Sequence, residues 1–64
     1  MSRLTDEEIT RRSAAAGTAA LEGRNRIAAH LYRELANEIQ TDYGQFDPRA
    51  LAAFEAVARV IHQD

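Results

Sequence analysis

Cysteine is absent from the 64 residues, so neither a disulfide nor a thiolate metal site can brace this chain. Tryptophan and lysine are missing as well, proline occurs once, and the only histidines are His30 and His62. A structural metal takes about four ligands, and such a donor set is not available here. No apolar run approaches the ~18–20 residues that span a bilayer. The opening Met1-Ser2-Arg3-Leu4-Thr5-Asp6-Glu7-Glu8 has no apolar segment of signal-peptide type. A cytoplasmic protein with no membrane role, no cofactor and no small-molecule substrate is therefore expected.

These absences weigh heavily because the chain is short. A core of this size yields only about 3–5 kcal/mol, and small domains usually add disulfides, a metal or a partner. With the first two removed, closely packed helices or association remain, and association is the expectation. The expectation is an all-α fold of two or three antiparallel helices, forming one small domain over residues 1–64. Its core is completed as a helical bundle with a second chain, and residues 1–4 are expected to fray.

What is present fits a folded protein: 45% of residues are hydrophobic and 28% charged. The net charge of −2 gives no general attraction to nucleic acid or anionic lipid. All eight basic residues are arginine and thirteen positions are alanine, a bias typical of a GC-rich coding genome. Arginine's planar fork also suits paired carboxylate contacts.

Local signals divide the chain. Thr5 with Glu8 three residues on has capping-box spacing, and Asp6, Glu7 and Glu8 suit the positive end of a helix dipole. The first helix is expected over about 6–22. Glu7–Arg11 and Glu8–Arg12 are favourable (i, i+4) pairs. From Ser13 to Ala20 every side chain is small, which allows close approach of another backbone. Gly23 reads either as a C-cap or as an interior residue of one long helix to Tyr43, and a break is preferred. Beyond it Ile27, Leu31, Leu35 and Ile39 recur every four residues, widened by Ala28, Tyr32 and Ala36, so a second helix is expected at about 25–41. Gly44 opens a connection under which Tyr43 and Phe46 are expected to tuck. Asp47-Pro48 is an N-cap followed by proline, starting a third helix at about 48–62. Ten of the twelve residues from Ala50 to Ile61 are apolar, with Glu55 and Arg59 the exceptions. A helix this apolar must be covered on most of its circumference.

Gly23, Ala28 and Tyr32 resemble the spacing around the second helix of a tetratricopeptide hairpin. The aromatic positions of the first helix are missing and the linker to the third is too long, so no function follows.

Catalytic chemistry finds little footing. His30 and Glu34 are four apart without an HExxH or ExxH pattern, which reads as an exposed helical pair. His62 suits the negative end of a helix. Glu34, Glu38 and Asp42 form an acidic row on a solvated face. Asp42 and Asp47 flank a loop without EF-hand spacing. No GxGxxG or GxxxxGK[ST] occurs, and Ser13, Thr10 and Thr18 lack a histidine base. No enzyme is expected.

Two functional readings remain. The leading one is a non-enzymatic helical protein–protein interaction module, either a homodimer or a small regulatory or accessory subunit of a larger protein. Its expected interface is Leu51, Phe54, Val57, Ala58 and Ile61, with Leu31, Leu35 and Ile39 as intramolecular or cross-chain partners. Arg59 and Glu55 would set register at the rim. The alternative is a small DNA-binding regulator. Ala19 and Gly23 resemble the turn of a helix-turn-helix unit, with the second helix presenting Arg24, Arg26, His30 and Arg33 to DNA.

Overall fold

The computed structural model describes residues 3–62, and these form three helices with no strand among them. They are α1 (Asp6–Leu21), α2 (Asn25–Tyr43) and α3 (Pro48–Ile61), each within two residues of the expected range. Helix α1 begins with the capping box: the Glu8 N–H donates to Thr5 Oγ1 at 3.1 Å and the Thr5 N–H donates to Glu8 Oε1 at 3.3 Å. It ends in a Schellman motif. Gly23, at φ 81°, donates its N–H to the Ala20 carbonyl at 3.1 Å, and the Arg24 N–H donates to Ala19 at 2.8 Å. Gly23 therefore breaks the chain into two helices. Helix α2 ends at Gly44, whose φ of 112° and ψ of 157° belong to a region open essentially to glycine alone. Asp47 then caps α3 by accepting from the Arg49 N–H at 2.9 Å, with Pro48 in the first turn.

The helices form a flat, open arrangement. Ala19 of α1 and Val60 of α3 both pack near Ala28 at the start of α2, whereas Leu4 and Ala50 both pack near Leu35 and Ile39 towards its end. Each successive pair is thus antiparallel, with α2 in the middle; α1 and α3 each pack extensively on it and far less on each other. The molecule measures 36 × 19 × 14 Å and exposes 4653 Å². A compact monomer of 7.1 kDa exposes about 4,100 Å².

The core is made mostly of small side chains. Ala16, Ala28, Ala36 and Ala50 are completely buried, and among the described residues Leu35 and Ile39 are the only large side chains fully enclosed. Gly17 of α1 lies beside the Tyr32 hydroxyl, with 3.5 Å, an ordinary van der Waals distance, between that oxygen and the place a Cβ would occupy.

Several expectations are corrected. Leu4 does not fray: it is buried, its N–H donates to Asp42 Oδ2 at 2.8 Å, and its carbonyl accepts from the Tyr43 hydroxyl. Of the four residues expected to fray, Met1 and Ser2 lie outside the described ones. Asp42 accordingly anchors the N-terminal segment instead of extending a solvated acidic row. Tyr43 is half-buried as expected, but Phe46 is 80% exposed because the chain turns from Gly44 straight into the Asp47 cap. Arg12 reaches across to Glu38 at 2.8 Å instead of pairing with Glu8, so that charge contact joins α1 to α2.

Candidate interaction surface

Successive residues of a helix are about 100° apart around its axis, so α3 divides into faces. Ala50, Ala53, Ala56, Val57 and Val60 are buried towards the other two helices. Ala52, Glu55, Arg59 and His62 are exposed. Between those sets, Leu51, Phe54, Ala58 and Ile61 form a second apolar stripe at spacings of 3, 4 and 3 residues. Leu51 is 48% and Ile61 52% exposed, Ala58 is exposed, and Phe54 is half-buried. The inward side chains are small and the outward ones large.

The placement of the expected interface residues follows from this division. Leu51, Phe54, Ala58 and Ile61 are brought together on one accessible face. Val57 is not among them: it faces inward and is 8% exposed. Leu35 and Ile39 are enclosed in the monomer's own core and Leu31 is half-buried, whereas Ile27 at the start of the same stripe stays 51% exposed. The accessible part of the expected interface therefore lies on α3.

Phe46 extends this surface and was not foreseen as part of it. It stands immediately before the Asp47 cap, with Leu51 in the fourth helical position, the spacing of a hydrophobic staple. That spacing is the signal that places an aromatic at the end of the Leu51–Ile61 stripe.

A polar cluster fixes α3 at its N-terminal end. The Arg49 guanidinium donates to Asp47 at 2.9 Å and to Asp6 at 2.6 Å, and it lies 4.1 Å from the centre of the Tyr43 ring. The hydrogen bonds from Arg49 hold the Asp47 carboxyl down to about 2, and the same contacts raise the guanidinium above its ordinary value. Arg12 is likewise raised, chiefly through its hydrogen bond to Glu38. Arg49 thus joins the starts of α1 and α3 to the end of α2.

The opposite end of α3 is open. A groove of about 600 Å³ lies between α2 and α3, with Ala29, Val60 and Ile61 as apolar wall and Arg26 and Arg33, with His30 between them, as polar wall. Three of the four residues named for DNA contact thus converge. Arg24 is not part of this wall and pairs with Glu22 at 3.7 Å. A second, smaller groove of about 300 Å³ runs between α1 and α3, bordered by Ile9, Ser13, Tyr32 and Ala56.

Among the described residues no three histidine, aspartate or glutamate side chains gather where they could hold a metal. No described helix is long and apolar enough to cross a membrane. Comparison with known protein families, curated proteins and solved structures returns no match for this chain.

Proposed function

We propose that this protein is a non-enzymatic helical interaction module that works through the outer face of α3, by self-association or as a small regulatory or accessory subunit. One observation carries the reading: α3 packs Ala50, Ala53, Ala56, Val57 and Val60 inward and leaves Leu51 and Ile61 about half exposed, with half-buried Phe54 and exposed Ala58 between them on one stripe. Such a stripe at 3, 4 and 3 spacing is the form in which one helix seats against another. Sorting by burial alone would place the largest apolar groups inside. Their position outside is explained when the second side of α3 meets another helix.

The test is an NMR dilution series at neutral pH. Amide shifts along Leu51, Phe54, Ala58 and Ile61 are expected to move with concentration, or on addition of a protein partner, while those of the exposed α1 residues Ala14 and Thr18 stay fixed. Shifts confined to α1 would contradict the reading.

A DNA-binding regulator is the second reading, favoured by the convergence of Arg26, His30 and Arg33 on one groove. The net charge of −2 and the exposed Glu34 and Glu38 on the same helix oppose it. Phosphate contacts are strongest in low salt, so absence of binding at about 50 mM salt excludes it.

A further inference from the structure

We propose that the outer face of α3 is occupied by a second copy of this chain lying antiparallel, and that Phe46 of each copy enters the Arg26–Arg33 groove of the other. This rests on the reading of α3 as an interaction surface and names its occupant. The spacing of the stripe is the first support. Leu51, Phe54, Ala58 and Ile61 follow one another at 3, 4 and 3 residues, so the pattern is the same read in either direction and is centred on position 56. A two-fold interface requires that when one residue meets a second, the second meets the first on the other copy. Antiparallel pairing about position 56 satisfies this, placing Leu51 against Ile61 and Phe54 against Ala58. The bulky ring then meets a methyl group in both symmetric layers. Parallel pairing sets Phe54 on Phe54 and Ala58 on Ala58, overfilling one layer and leaving a void in another.

The second support comes from features at the two ends of α3 that the stripe does not use. Phe46 is 80% exposed just ahead of the N-terminal end. The groove of about 600 Å³ lies beside the C-terminal end and includes Ile61 in its wall. Antiparallel pairing carries the start of one α3 alongside the end of the other, so the exposed ring and the open groove are brought to the same place twice. The groove suits a ring: Ala29 and Val60 offer apolar contact, and Arg26 and Arg33 offer guanidinium groups that are attracted to an aromatic face. Among the described residues no ion pair engages Arg26 or Arg33. The aromatic ring and the cationic groove thus complement each other between copies.

The absence of native cysteine makes the arrangement directly testable. Leu51→Cys and Ile61→Cys proteins are mixed and oxidised mildly, after circular dichroism has verified the helix content of each. The expected product is the mixed 51–61 disulfide in preference to either self-disulfide. Glu55→Cys, on the exposed rim beside the axis, is a second probe and is expected to form a self-disulfide. Phe46→Ala, which removes an exposed side chain, is expected to weaken dimerisation about tenfold with little change in monomer stability. Preferential 51–51 and 61–61 linkage overturns the antiparallel pairing while leaving self-association intact. A dimer by sedimentation with no linkage at 51, 55 or 61 overturns the occupant's placement. An unchanged dimer affinity for Phe46→Ala overturns the groove contact alone. A chain that sediments as a monomer at all concentrations overturns this proposal, and the dilution series at residues 51–61 with an added protein partner then decides whether the broader reading survives.

Discussion

The two apolar faces of α3 are built from different materials. The inner one is Ala50, Ala53, Ala56, Val57 and Val60, and the outer one is Leu51, Phe54, Ala58 and Ile61. Small inward side chains let α3 and α1 lie close to α2, and close packing recovers dispersion energy despite the small area per residue. They leave the monomer with little hydrophobic area in reserve. Large outward side chains have the opposite consequence, adding little to the monomer and much to an interface. The fold is a thin layer held by close approach, with Leu51 and Ile61 of α3 left about half exposed.

That contrast fixes where substitutions act. The largest effect is expected inside: Leu35→Ala removes one of the two large enclosed side chains and costs about 2–5 kcal/mol. This is comparable to the whole stability of a core this size, so circular dichroism is expected to show a largely unfolded chain. Gly44→Ala is next, at about 1–3 kcal/mol by urea unfolding, because the backbone that aims α3 at α2 occupies a glycine conformation. On the outer face, Ile61→Ser is expected to cost the dilute monomer about 1 kcal/mol, the worth of its already buried half and well below the Leu35→Ala loss. Burying the exposed half of an isoleucine is worth about 1 kcal/mol and counts twice in a symmetric dimer, so dissociation strengthens about 30-fold. Equal loss of monomer stability in Ile61→Ser and Leu35→Ala would erase the distinction between the faces. Gly17→Ala is a smaller effect of opposite sign: a Cβ there meets the Tyr32 hydroxyl at an ordinary 3.5 Å, so unfolding is expected to become harder by roughly 0.5–1 kcal/mol.

The mildest effect is one of pH and concerns the cap of α3. The Asp47 carboxyl is lowered from 3.8 to about 2 by Arg49. A depressed folded value means that its contribution is complete above 3.8 and is lost as pH falls through about 2. The stability difference between wild type and Asp47→Asn is therefore expected to stay level from pH 7 to about 5 and to close in the acid range below the ordinary carboxylate value. A difference that closes near neutrality would show that Asp47 is not held by Arg49.

Much of this fold is legible in the sequence because its punctuation is local. Thr5 with Glu8, Gly23, Gly44 and Asp47-Pro48 each act within a turn of helix, and each defines an end that the structure repeats. The anchoring of Leu4 is not legible, because Asp42 and Tyr43 lie far along the chain and meet it only when α1 and α2 fold back antiparallel. The outer stripe is half legible. The surplus of apolar residues on α3 is plain in the sequence, yet which of them face inward depends on how the other helices pack against it, which the periodicity of one helix does not record. Val57 was grouped with the outer residues for that reason. The groove draws on residues from both α2 and α3, and periodicity within one helix carries no record of it.

The central claim is that the outer face of α3 is completed by association, and sedimentation equilibrium on the native chain and on the Leu51→Ser/Ile61→Ser variant tests it most directly. The account predicts that the native chain reaches a dimer within the micromolar range, and that the variant remains monomeric with its helical spectrum intact. A native chain that stays monomeric at hundreds of micromolar, or a variant that dimerises equally well, would contradict self-association through this face.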